Sequence, residues 1–298
     1  MMQLRVLAFL MLALAMLALP PARGGTAAAG QRALVLEIDG VIGPPLADYI
    51  GRELRAARPD EVGIIVLRMN TPGGLDASMR QIVSAILASP VPVATYVAPN
   101  GARAASAGTY IAYASAIAAM APGTNIGAAT PIQLAGHPMA PPDPTRQKEK
   151  ADKAEKAGEP ADAETRKLVN DAIAYIRGLA ALNGRNADWA ADAVRSAASV
   201  TAAEALSLHV IDVIADDVPD LLRKIDGRTV NVAGKPQQLA TAGLDVVTVL
   251  PDWRTELLGL VTNPNVAFIL MLIGIYGLIL EFFNPGAVAP GLIGAISL

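Results

Sequence analysis

At 298 residues the chain is long enough for one well-buried domain plus additional segments. A net charge of −3 without a broad basic stretch argues against nucleic acid as a partner. The absence of cysteine excludes disulfides, thiol catalysis and cysteine-ligated metal. The composition is 53% hydrophobic and only 17% charged, and the apolar excess sits at the two ends.

Residues 1–24 read as a signal peptide. Arg5 supplies the positive charge, residues 6–19 form an unbroken apolar run, and Pro20 and Pro21 end it. The body of the protein is therefore expected on the extracytoplasmic side of a membrane.

From residue 31 strands and helices alternate. Residues 33–38 (ALVLEI) and 62–69 (VGIIVLRM) are predicted strands, and residues 44–57 between them a helix with Leu46, Tyr49, Ile50 and Leu54 at helical spacing. A turn at 71–74 (TPGG) leads to an amphipathic helix over 75–87, a strand over 91–97, a small-residue helix over 104–115 and a short strand over 117–120. This alternation predicts an α/β domain with a mostly parallel sheet, over residues 31–227.

Residues 136–165 break the pattern. They are rich in Pro, Lys, Glu and Asp and nearly free of large apolar groups, so they are expected to form a flexible insertion or lid. Helical spacing resumes at Lys167, with Leu168, Ala172, Ile176 and Leu179 on one face, and Thr165 is the expected cap. Thr201 and Glu204 form a capping box. A strand over 210–215 and a helix over 218–225 follow, then a connector over 228–262 with short β-prone runs at 229–232 and 246–250. Residues 265–283 are long and apolar enough to cross a bilayer, and 263–298 read as the start of a transmembrane region. The sequence stops inside a second apolar segment, which is the expectation for a piece of a longer polytopic protein.

Two segments carry chemistry. Gly73 and Gly74 follow a buried strand, where glycine lets backbone N–H groups face a ligand at close range, as an oxyanion hole requires. Ser106, in Gly101-Ala-Arg-Ala-Ala-Ser-Ala-Gly108, lies among small residues at the start of a predicted helix, whose N-terminus favours a developing negative charge. Alone, PGG after a strand is more often a turn, and the Ser106 segment reads equally as a small-residue helix packing on the sheet. His137 falls in the insertion. His209 lies at a helix end in a position suited to glycine, and Asp212 reads as structural. Arg103 faces either substrate or solvent.

In order along the chain, PGG after a strand, A-A-S-A-G about thirty residues on, and M-A-P-G-T-N-I-G-A resemble the ClpP-class serine proteases, and most closely the NfeD family of membrane-bound members. The resemblance implies a ClpP/crotonase-like core of repeated β-β-α units followed by C-terminal transmembrane helices. It implies Ser106 as nucleophile, with Gly73 or Gly74 and the amide of Ala107 as oxyanion donors. It also implies a lysine base on the helix KLVNDAIAYIRGLA, which here is Lys167. A base for serine must be neutral near pH 7, and burial or a helix N-terminus favours that state. Glu164 and Asp171 are the nearest acidic alternatives. The family calls for no cofactor and no metal, and implies membrane-associated substrates such as stomatin-like proteins and a homo-oligomer. Two other functions fit parts of the sequence: an inactive membrane scaffold that partners a stomatin-like protein, and a crotonase-type acyl-CoA enzyme, which export argues against.

Overall fold

The computed structural model of the chain describes residues 31–131, 160–261, 264–283 and 289–298. The expected signal peptide, His137 and most of the expected insertion lie outside the described residues.

A six-stranded parallel sheet forms the centre. In chain order its strands are β1 (Arg32–Asp39), β2 (Val62–Asn70), β3 (Val93–Val97), β5 (Ile117–Met120), β8 (Val213–Ile214) and β11 (Asp245–Val249), and they lie side by side in the order β11-β1-β2-β3-β5-β8. The apolar runs of β1 and β2 are continuous because both faces of the sheet are covered. Leu34, Leu36 and Ile38 of β1 and Ile65, Leu67 and Met69 of β2 point into one core, while Ala33, Val35, Ile64 and Val66 point into the other.

The first core is closed by helices. These are α1 (Pro44–Ala56), α2 (Asp76–Ala88), α3 (Ala107–Ala114), α4 (Pro160–Leu182), α5 (Ala187–Arg195) and α6 (Ala202–Ser207). Tyr49 and Ile50 of α1, Ile82 of α2, Ile111 of α3 and Ile176 of α4 are all buried in it. Each such side chain contributes on the order of 1.5–3 kcal/mol of transfer free energy. The second core is closed by α7 (Val218–Ile225) and by the antiparallel hairpin of β9 (Thr229–Val232) and β10 (Lys235–Gln238).

A second sheet stands at the carboxyl edge of the first. It joins β4 (Arg103–Ala105), β6 (Asn125–Gly127) and β7 (Ser199–Thr201) in the order β4-β6-β7. A bridge from Thr71 to Ala104 ties it to the end of β2.

Several sequence expectations change in detail. The helix expected over 104–115 begins only at Ala107, because Ala104 and Ala105 pair with Ile126 and Gly127 in β4 and β6. The strand expected over 210–215 shrinks to Val213–Ile214, since Val210 and Ile211 donate to Ala205 in closing α6. The run at 246–250 is not a loose connector: β11 extends the main sheet in parallel with β1, with Val247 beside Leu34. Leu168 is exposed, whereas Ala172, Ile176 and Leu179 are buried as expected. The capping box of Thr201 and Glu204 is present, and Glu204 is held below the usual carboxylate range by hydrogen bonds from the Thr201 backbone and hydroxyl.

After β11 come α8 (Trp253–Val261), α9 (Pro264–Phe283) and α10 (Ala289–Ser297). Residues Val266–Phe283 have a mean hydropathy of 2.4 and almost no buried share, as a lipid-facing span requires. α9 and α10 meet through glycines. A Cβ on Gly277 would stand 2.5 Å from the Pro290 carbonyl oxygen, and one on Gly294 would stand 2.9 Å from the Gly274 oxygen. Small residues at such a crossing let membrane helices approach closely.

Candidate active site

Three backbone segments converge at the carboxyl edge of the main sheet. Residues 71–74, which prolong β2, lie between Ile42 on one side and residues 103–106 on the other. The Ile42 amide donates to the Gly73 oxygen and the Leu75 amide to the Ile42 oxygen, both at 2.9 Å. On the opposite side the Thr71 amide donates to the Arg103 oxygen (2.8 Å) and the Ala105 amide to the Thr71 oxygen (3.1 Å).

This arrangement places Gly73 against Ser106. A Cβ on Gly73 would stand 2.7 Å from the Cβ of Ser106 and 3.2 Å from its Oγ, so only glycine fits. Its φ of +116° independently favours glycine. Gly74 is equally constrained from the other side, since a Cβ there would meet the Ile42 oxygen at 2.1 Å.

Ser106 is the hinge between β4 and α3. Its φ of 53° and ψ of −113° are strained for a residue with a Cβ. The conformation is held by the Ser106 amide donating to the Gly127 oxygen (2.9 Å) and by the Thr109 amide donating to the Ser106 oxygen (2.9 Å). The Thr109 hydroxyl sits between the carbonyls of Ala104 (3.0 Å) and Gly127 (2.9 Å). Gly108 lets the first turn of α3 rest on β2: a Cβ there would be 2.7 Å from Thr71 Cγ2 and 3.0 Å from Met69 Sδ. The serine is half-buried, with its side chain at the N-terminus of α3.

The three candidate oxyanion donors are not equivalent. The Gly73 amide donates to Thr71 Oγ1 at 3.0 Å. Gly74 lies between the two peptide groups that bond Ile42, so its own N–H is directed away from Ile42. Ala107 is the first residue of α3, where the amide has no partner inside the helix. The Gly73 amide is thus the one of the three already engaged by a side chain.

Lys167 lies about two turns inside α4, which begins at Pro160, so Thr165 is not the cap and the helix terminus does not act on the lysine. Proline is well suited to such a start. The lysine is exposed. Farther along, α4 packs on α3 and meets α2 through Arg80. Arg80 of α2 donates to Asp171 at 2.7 Å and lies over the Tyr175 ring at 4.4 Å. Tyr110 of α3 stacks on Tyr175 with centroids 6.0 Å apart. Farther along, Asn183 donates to the Tyr113 oxygen at 3.0 Å. α3 and α4 thus run in the same general sense. Lys167 lies one turn before Asp171 along α4.

Arg80 also donates to Asp76 at 2.9 Å, two residues after Gly74. Burial works against its charge, but Asp76 and Asp171 outweigh it and raise its pKa. The neighbouring Tyr110 and Tyr175 phenols are pushed up, chiefly by burial. The roles of Thr71, Ile42, Gly127 and Arg80 are absent from the sequence reading. Thr71 alone had a local signal, as the residue before PGG.

The remaining candidates do other work. His209 is an exposed residue with φ of 57°, whose backbone closes α6. Asp212 bonds buried Arg185 at 2.6 Å and accepts the Ala118 amide at 2.7 Å. Arg103 is exposed. Among the described residues no group of three or more His, Asp or Glu side chains is placed to hold a metal ion.

Residues 33–233 match the family model described as the NfeD1b N-terminal domain, and residues 265–298 match the NfeD integral membrane domain. The chain belongs to the NfeD family. Among NfeD-like relatives, the membrane-bound protease PH1510 of Pyrococcus horikoshii is 37% identical over 270 residues, which cover 89% of this chain and 56% of the relative. Membrane protein NfeD1b of Bacillus subtilis is 26% identical over 281 residues, 90% of this chain and 55% of the relative. The chain thus spans a little over half the length of these curated relatives. The α/β domain also resembles solved structures of 1510-N, a membrane-bound stomatin-specific protease. A lysine-to-alanine variant in complex with a substrate peptide is 34% identical with a TM-score of 0.66, covering 79% of this chain and 100% of that one. A serine-to-alanine variant is 35% identical with a TM-score of 0.63, covering 76% and 100%.

Proposed function

We propose that this NfeD chain is a membrane-anchored serine endopeptidase with a Ser106–Lys167 dyad, acting on apolar segments of stomatin-like membrane proteins. The observation that carries the reading is the approach of Gly73 to Ser106, which brings a strained, half-buried serine against a glycine loop. Strain of this kind is characteristic of functional sites.

In the proposed reaction Ser106 Oγ attacks a substrate carbonyl carbon and its proton passes to the Lys167 amine. The oxyanion of the tetrahedral intermediate accepts hydrogen bonds from the Gly74 and Ala107 amides, at the positive end of α3. Collapse breaks the C–N bond, and the Lys167 ammonium protonates the leaving amine. Water then attacks the acyl-serine carbonyl with Lys167 again taking the proton, the C–Oγ bond breaks to release the carboxylic acid, and the Lys167 ammonium returns a proton to Ser106 Oγ. Support for the lysine comes from the related protease, which was solved with a lysine replaced and substrate bound. In this reading the protease domain lies on the extracytoplasmic side and the chain forms a homo-oligomer.

Exposure of Lys167 is the observation that favours a second reading, a scaffold for a stomatin-like protein that keeps the fold without the chemistry. A fluorophosphonate probe separates the two. The peptidase reading expects covalent labelling of the wild-type chain and none of Ser106→Ala. An unlabelled wild-type chain that still captures a stomatin-like partner would establish the scaffold instead.

A further inference from the structure

The short helix between the sheet and the membrane span has a consistent two-sided character. Asp252 opens α8: its carboxylate accepts from the Thr255 amide at 3.0 Å and its carbonyl from the Glu256 amide at 3.1 Å. Thr255 is buried at 8% exposure, on the side where α8 packs on α1. The junction is fastened to α1 twice more. Tyr49 donates to the Val249 oxygen at 2.5 Å, and Arg52 pairs with Asp252 at 3.6 Å.

The face opposite Thr255 is apolar and exposed. At 3.6 residues per turn, Leu260, Trp253, Leu257 and Val261 fall within an arc of about 100° centred nearly opposite Thr255. Their exposures are 57%, 67%, 51% and 45%. A continuous exposed strip of this kind requires an occupant. The chain itself indicates which one. α8 ends at Val261 and the membrane-spanning helix α9 begins at Pro264, so the strip cannot lie far from the bilayer. Tryptophan and leucines facing outward next to a membrane span are the composition of a helix lying in the membrane interface.

We infer that α8 is an interfacial helix whose Leu260–Trp253–Leu257–Val261 face is buried among lipid headgroups and upper acyl chains. Because α8 is fastened to α1 through Tyr49, Arg52 and Asp252, this contact fixes the α/β domain against the bilayer surface instead of leaving it on a free tether. It holds whether or not Ser106 is a nucleophile.

The chain has two tryptophans, Trp189 and Trp253. The full chain in phosphatidylcholine vesicles, compared with Trp253→Phe, gives the Trp253 emission by difference and leaves buried Trp189 untouched. Lipids brominated near the headgroup end of the acyl chain should quench most of that emission, and lipids brominated near the chain end much less. Trp253 should also resist acrylamide. Free access to acrylamide without bromine quenching overturns the inference. So does protection from acrylamide that grows with protein density and is indifferent to bromine, because a second copy of the chain then covers the face. A Leu257→Asp, Leu260→Asp double variant should lose the bromine quenching while the domain melts at the wild-type temperature. A large drop in melting temperature would show that the strip packs on protein, and would also overturn it.

Discussion

Gly73 and Ser106 stand so close that a methyl group on the glycine would lie 2.7 Å from the serine Cβ. The contact constrains both partners: the loop can carry no side chain, and the serine has one side walled by backbone. Gly73→Ala should therefore displace Ser106 and abolish fluorophosphonate labelling. The stability cost should be about 1–3 kcal/mol, because the backbone also sits at φ of +116°. Gly123→Ala is the matched control. Its φ is also positive, at +71°, but nothing lies within 4 Å of an added Cβ. It should cost about 1 kcal/mol and leave labelling intact. Equal loss of labelling in both variants would mean that backbone strain, not the contact, is responsible.

Ser106 itself is held at φ of 53° and ψ of −113°. Glycine adopts such a conformation freely, alanine does not. Ser106→Gly and Ser106→Ala both remove the hydroxyl and should both be inert to the probe. They should differ in stability: the glycine variant is expected to be about 1 kcal/mol more stable than the alanine variant, a difference of roughly 3 °C in melting temperature for a domain of this size. Calorimetry showing the two equal would mean that the hinge stores no strain.

The sheet and its order of helices were legible because the apolar runs of β1 and β2 and the TPGG turn leave little choice. The PGG and A-A-S-A-G segments marked both halves of the serine site. What could not be read was non-local. Ala104 and Ala105 look helical in isolation, and only pairing with residues 125–127, some twenty positions away, makes them strand. β11 lies more than two hundred residues from β1, its partner. The start of α4 was misplaced because the run before Lys167 has helix-forming residues but no apolar face, so periodicity cannot register it. Which amide of the glycine pair is available depends on the Thr71 hydroxyl and on Ile42, neither of which announces a role in sequence.

Arg185 is buried to 2% side-chain exposure, donates to the carbonyls of Ala112, Tyr113 and Ser115 at the end of α3, and has Asp212 as its carboxylate partner at 2.6 Å. Asp212→Ala removes the countercharge and also the acceptor of the Ala118 amide. Breaking such a pair leaves a buried charge uncompensated, so a loss of about 3–5 kcal/mol is expected by chemical denaturation. Replacing both partners, as Arg185→Met with Asp212→Ala, should recover part of it. A double variant no better than the sum of the singles would show that the guanidinium's carbonyl bonds, and not the charge pair, carry the stability.

Arg80 links the glycine loop to the helix that bears Lys167. One guanidinium reaches Asp76, just after Gly74, and Asp171, one turn from Lys167, and it lies over Tyr175. Each contact is partly exposed and weak alone. Together they fix the register of α4 against α2. If Lys167 is the base, Lys167→Ala should lose nearly as much turnover as Ser106→Ala, and the double variant little more, because the two act as a unit. Lys167→Arg should be inactive as well, since arginine stays protonated. Arg80 touches no reacting atom in this scheme and acts by position. Arg80→Ala should reduce kcat about 10-fold to 100-fold with a smaller change in KM, as expected when a base is displaced by about an ångström. Arg80→Lys should rescue little, because a lysine cannot hold two carboxylates in a fixed fork. The informative comparison is Arg80→Ala in the Lys167→Ala background. With the base already gone, misplacing its helix should cost almost nothing further. A full additional loss there would assign Arg80 to substrate binding or to folding, and would detach it from the lysine.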